Sequence, residues 1–244
     1  MRALMLSPLF RPPFDPPAFD PPVLDPHVLD PRDSQSSIGD AWMKARQPAM
    51  TGACRSVVLV RRGEILREQA EACIREVYRD AFDASIPAFP ELLATTVDSG
   101  GQPVCAAGLR TEADGFFSED YLDRPVEQVL GALAGRDVER GRIFEVTTLA
   151  SRRVAASPDF VRQIASLGKS AGFEWSVFTA TSRLRTLLRR LGLPLVVLGR
   201  ADPARIEDAG RWGSYYSHAP MICAVDDQWL DSNSASSPAR PCHA

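Results

Sequence analysis

At 244 residues and 45% hydrophobic content the chain can bury one substantial core, and its length favours one domain with tails over two domains. A net charge of −3 leaves no basic surplus to neutralise phosphates, which removes nucleic acid from the expected partners. Five dispersed cysteines (Cys54, Cys73, Cys105, Cys223 and Cys242) have neither CxxC nor metal-ligand spacing, so reduced thiols and no metal are expected.

Two of the three histidines, His27 and His243, fall near the ends, leaving His218 as the one imidazole expected in the core. No apolar run of about 18 residues occurs, so no spanning helix is expected. The opening MRALMLSPLF is broken by Pro8 and lacks a small-residue cleavage site; a cytoplasmic protein is expected.

Residues 8–33 hold nine of the 20 prolines in a five-residue repeat, Phe14-Asp15-Pro16, Phe19-Asp20-Pro21, Leu24-Asp25-Pro26 and Leu29-Asp30-Pro31. Each proline removes a backbone donor and biases the preceding Asp toward extended geometry. Residues 1–54 therefore read as a disordered extension and linker, with a short helical turn near Trp42, and 230–244 as a disordered tail. A single domain is expected over 55–229.

SVVLVRR, from Ser56, predicts a strand. From Glu64 to Phe82 the residues Leu66, Ala70, Cys73, Ile74, Val77, Tyr78 and Ala81 recur at helical spacing, with Arg67, Arg75 and Arg79 expected off the buried face. ELLATTV and QPVCAAGLR, joined through Asp98-Ser99-Gly100-Gly101, predict a hairpin ending on Arg110. A helix follows from about Pro125. RIFEVTTLAS, from Arg142, predicts a strand, and Ser157-Pro158-Asp159 opens a helix that Gly172 stops. FEWSVFTA is a strand, SRLRTLLRRLG a short basic helix closed by Gly192, and LPLVVLG and MICAVDD are the last strands.

One carboxylate, Glu145, stands inside an otherwise apolar and β-branched strand. Alternation places Glu145, Thr147 and Leu149 on one face and Phe144, Val146 and Thr148 on the other. A buried carboxylate must be paired, shifted in pKa or put to chemical use; the alternatives are a solvated or ion-paired Glu and a general base facing a cleft. No phosphate loop, no strand-borne GxGxxG and no GxSxG elbow is present. The element order predicts an α/β (α+β) chain with a mixed, mainly antiparallel sheet and helices on both faces.

That order resembles the superfamily of GNAT-type N-acetyltransferases and acyl-homoserine-lactone synthases. Four segments, AAGLRTEADGFFSEDYLDRPVEQVL, IFEVTTLAS, WSVFTATSRLRTLLRRLGLPLVVL and ADPARIEDAGRWGSYYSHAP, resemble the thermostable hemolysin family. The resemblance implies a GNAT-like fold and an acyltransferase using a small-molecule acceptor. Its co-substrate would be acyl-CoA, an acyl carrier protein thioester or S-adenosylmethionine, with the carrier protein as a partner. A membrane-active cytolytic protein and a non-catalytic binding module are the alternatives.

In acyl-homoserine-lactone synthases a strand Glu is the proposed base, and Glu145 matches it. Thr147 falls where those enzymes have Ser, Thr148 where they have Arg, and Arg110 fills the place of an arginine ending the preceding hairpin. Hemolysin relatives typically have Gly-Asn at Thr147-Thr148. The chain departs from the coenzyme A pattern too: Ala150 to Pro158 contains no glycine, and Leu188 stands where a general-acid tyrosine is common. The expected catalytic set is Glu145 as base, Thr147 at the oxyanion and Arg110 on a substrate anion. Thr148, Ser151, Arg152, Tyr215, Tyr216 and His218 are expected to bind substrate.

Overall fold

The computed structural model describes residues 56–226; the Asp-Pro repeat, the turn near Trp42 and both tails lie outside the described residues. Seven strands form one sheet: β1 (Val58–Val60), β2 (Leu92–Val97), β3 (Pro103–Arg110), β4 (Ile143–Ser151), β5 (Trp175–Ala180), β6 (Val196–Arg200) and β7 (Met221–Asp226). Their spatial order is β1-β2-β3-β4-β5-β7-β6. Only β4 and β5 run parallel; every other pairing is antiparallel. Four helices cover the two faces: α1 (Ile65–Phe82), α2 (Val126–Ala134), α3 (Ser157–Ser170) and α4 (Ser182–Arg190).

The expected elements form where the residue pattern places them, and their apolar stripes explain the layers. On α3, Phe160, Ile164 and Leu167 lie at helical spacing and bury against Phe144, Leu109 and Ala107. On the opposite face, Ala70, Ile74 and Tyr78 of α1 bury against Leu93 and Ala106, while Val126 and Leu130 of α2 join Ile143, Trp175 and Val177. Each of the larger apolar side chains among them contributes roughly 1.5–3 kcal/mol, which is what holds helices on both sides of the sheet.

Arg67 does not lie off the buried face as expected. It is 2% exposed. Its guanidinium donates to the carbonyls of Val60, Pro90 and Glu91 and to the Glu71 carboxylate, so its charge is buried with its donors engaged.

Strand β4 also departs from simple alternation. Gly108 pairs with Thr147 but Ala106 pairs with Ala150, so β4 carries one extra residue there. Thr148 takes up the excess with φ of 48°. Beyond this bulge the parity flips: Leu149 packs with Phe144 and Val146 on the α3 side, while Ala150 joins the α1 side. The expected grouping of Leu149 with Glu145 is thereby corrected. Gly108 is required opposite the bulge, because a Cβ there would run into the Thr147 hydroxyl and the Pro90 ring.

Candidate functional site

Parallel pairing of β4 with β5 ends at Val146 and Phe178, whereas β5 continues to pair with β7 as far as Ala180 and Met221. The bulge turns β4 away while β7 holds β5 in place, and the two strands part. A cavity of about 760 Å³ opens at the parting. Its wall takes Val161, Ile164 and Ala165 from α3 and Leu184, Leu187 and Leu188 from α4. Tyr78, Phe82 and Tyr215 come from the other face of the sheet, so the cavity reaches through the gap. Thr148 and Thr179 stand at the gap itself, and the exposed Ser182, Arg183 and Arg190 line its α4 side.

The Tyr78–Phe82–Tyr215 wall is an aromatic block. Phe82 meets Tyr215 edge-on, with centroids 5.3 Å apart, and Trp212 packs on both Tyr78 and Tyr215. Main-chain bonds join the end of α1 to the segment before β7: Ser85 N donates to the Arg211 carbonyl and Ser214 N to the Phe82 carbonyl. Gly213, at φ 53°, lets the two backbones touch, since a Cβ there would fall on the Phe82 carbonyl oxygen.

Glu145 does not line this cavity. It is 1% exposed, below the turn Phe117–Tyr121. Its carboxylate accepts hydrogen bonds from the backbone amides of Phe117 (2.6 Å) and Ser118 (2.8 Å). Burial pushes its pKa up to about 7 against the pull of those amides and of the Arg110 charge. The group is thus a clamp on the turn, and its protonation changes near neutrality.

Arg110 pairs with Glu145 across the strands, but its guanidinium donates to the carbonyls of Gly115 and Asp114 (both 2.8 Å). Those two bonds brace the turn after β3. Thr147 lies on the Glu145 face, half-buried beside Gly108. Thr148 lines the cavity, and so does Ser151, whose hydroxyl donates to the Arg153 carbonyl. Arg152 is engaged by the Glu76 carboxylate and the Pro103 carbonyl.

Tyr215 reaches the cavity and donates to the Thr179 carbonyl at 3.3 Å; burial raises its pKa well above the ordinary phenol value. Tyr216 shares a 2.7 Å hydrogen bond with Tyr121, next to the turn that Glu145 holds. His218 is exposed and stacks edge-on against Phe82. The structure therefore brings together Thr148, Ser151 and Tyr215 and sets Glu145, Arg110, Thr147 and Arg152 apart from them.

Sequence reasoning missed Thr179 and the apolar limb under α3 and α4. The signal for the limb was present in the second stripe of α3, Val161 and Ala165, which is offset from the stripe that packs the core. Leu184, Leu187 and Leu188 of the basic helix α4 turn to the cavity, leaving that helix without the exposed apolar face a lipid-binding helix needs. Among the described residues no helix is long and apolar enough to cross a membrane, and no group of three or more His, Cys, Asp or Glu side chains converges.

Among solved structures, FeeM, an N-acyl amino acid synthase from uncultured soil microbes, superposes with a TM-score of 0.50 at 13% identity, covering 74% of this chain and 96% of that one. The acyl-homoserine-lactone synthase LasI gives 0.48 at 13%, over 70% and 89%. The CoA-dependent acyl-homoserine lactone synthase MesI gives 0.45 at 15%, over 76% and 97%. No curated protein matches the sequence. The parted strands, the flanking helices and the likeness to FeeM define a GNAT-like fold. Within that fold the family model for thermostable hemolysin matches residues 60–229, every strand from the end of β1 onward, and the chain belongs to the thermostable hemolysin family.

Proposed function

We propose that the chain is an acyltransferase that moves an acyl group from a thioester to an amine, with 55–229 as its single catalytic domain. The observation that carries this reading is the cavity through the sheet at the β4–β5 parting. It offers an apolar limb for an acyl chain, polar groups at the gap, and an aromatic wall on the far side where an acceptor can approach. The reaction class is that of FeeM, whose fold the chain shares. Acyl-CoA and acyl carrier protein thioester are the candidate donors, and the carrier protein would be a partner.

In this reading the acceptor nitrogen attacks as the free amine. The C–N bond forms, the C–S bond breaks, and the proton that the nitrogen loses passes through solvent to the departing sulfur, which ends as a thiol. The protonated Tyr215 phenol reaches the cavity, where its hydroxyl can donate a hydrogen bond to the leaving sulfur; burial raises its pKa well above the ordinary phenol value, so it binds the sulfur and does not give up its proton. Glu145 serves as a positioning group. It holds Phe117–Tyr121, and that turn sets Tyr121 against Tyr216 and Phe117 against Trp212. Thr147 and Arg110 support the same turn side of the sheet, while Thr148 and Ser151 contact the donor; Tyr216 and His218 edge the acceptor side.

The test is incubation of purified protein with acyl-CoA or acyl carrier protein thioesters and a pool of amino acids and S-adenosylmethionine. We expect an N-acylated product by mass spectrometry with one free thiol released per product. Thiol release at the uncatalysed rate with every donor would sink the reading.

A further inference from the structure

We propose that Thr148 and Thr179 are a pair of hydroxyl donors that hold the carbonyl of the bound acyl group at the gap. The inference rests on the acyl-transfer reading and deepens it by naming the groups that recognise the donor. Both Oγ1 atoms are buried and neither has a hydrogen-bond partner in the protein, although both residues line the cavity. A buried hydroxyl almost always has a partner, so two orphans in one cavity wall point to something the cavity takes up.

Their place in the strands supports the pairing. The last rung joining β4 to β5 is Val146 with Phe178. Thr179 is the next residue on β5, and Thr148 is two residues on along β4, at the bulge. The pair therefore stands on the two lips of the parting, just beyond the last rung. Thr148 is also a β-branched residue at φ 48°, a conformation that such residues rarely adopt and that persists where something beyond local preference holds it.

The chemistry of the surroundings selects the ligand group. Apolar side chains from α3 and α4 flank the gap on one side and aromatic rings flank it on the other. The arginines in the wall, Arg183 and Arg190, are exposed on α4. Two neutral donors suit a neutral acceptor within an apolar chain, which describes an acyl carbonyl better than a carboxylate or a phosphate. No proton is transferred by either threonine; they bind and orient the carbonyl as it is attacked.

The test uses Thr148→Val, Thr179→Val and the double variant, since valine keeps the shape and the branched Cβ while deleting the hydroxyl. Binding is measured by calorimetry for two unreactive acyl analogues, carried on coenzyme A and, in a parallel arm, on acyl carrier protein. One is a ketone, with the thioester sulfur replaced by methylene, and the other is a thioether without the carbonyl. The native protein should bind the ketone about tenfold more tightly than the thioether, and the double variant should bind the two alike. The melting temperatures of the variants should equal or exceed the native value, because a hydroxyl without a partner is replaced by a methyl group.

A native protein that binds both analogues equally overturns the donor pair and leaves acyl transfer standing. So does a double variant that keeps the preference, or valine variants that lose stability and keep it, since the hydroxyls would then serve the fold through ordered water. Failure of the native protein to bind either analogue on either carrier overturns the acyl-donor reading and the donor pair with it.

Discussion

The two halves of strand β4 have opposite characters. Ile143, Phe144 and Glu145 are buried and paired with β5, Glu145 with β3 as well, whereas Thr147 to Leu149 are half-buried, bulged and released from β5. The charged residue sits in the closed half, and the residues that line the cavity beyond the last rung are threonine, leucine, alanine and serine. A charge in a strand is thus a poor guide to where ligands bind. Loss of pairing between neighbours, with buried polar atoms left over at the lips, is the better guide.

Removing bulk from the closed half should have the largest effect. Phe144 is fully buried, packs 5.2 Å from the Phe173 ring and lies against Gly168. Phe144→Ala should lose about 3–5 kcal/mol in urea unfolding. A loss under about 1 kcal/mol would show that this half is no more closed than the other.

The second test reads the closed half through its proton. Glu145 has a folded pKa of about 7, raised from 4.5, so the folded chain binds the proton more tightly than the unfolded chain. Its contribution is fully present below pH 4.5, is lost as pH rises toward 7, and is constant above that. Glu145→Gln removes this titration. The difference between native and variant unfolding free energies should therefore change by about 3 kcal/mol between pH 4 and pH 8, the native protein losing ground as pH rises. A difference independent of pH would mean that the carboxyl titrates in the fold as it does in the unfolded chain.

The smallest effect belongs to the open half. Asn tolerates positive φ far better than Thr, so Thr148→Asn should raise stability by about 1 kcal/mol while weakening acyl-analogue binding. Equal binding with raised stability would show that the bulge conformation, and not the hydroxyl, is what the site needs.

Much of the scaffold was legible because it is local. The 3.6-residue stripes of α1 and α3, the Asp98–Gly101 turn and the limits of β4 follow from neighbouring residues alone. The site was less legible because its decisive facts are not local. Glu145 is satisfied by amides 27 and 28 residues upstream in sequence, supplied by a turn whose own residues carry no mark of that role. Arg110 looked free to bind an anion, but backbone carbonyls four and five residues on hold its Nε and Nη2. Leu149 changed faces because a one-residue bulge shifts strand parity without any glycine to announce it. Thr179 gave no signal at all, since a lone threonine in a strand is ordinary until its neighbour strand leaves.

The contact at Gly213 bears on how the pocket can adapt to its occupant. Since the helix end at Phe82 and the stretch carrying Trp212 and Tyr215 are locked main chain to main chain, they can shift only as a unit, and the aromatic side behaves as an anvil. Any widening for a bulkier guest then falls to the short helix α4 opposite, so differences in guest size among family members should be written in its leucines and in the loop that carries it.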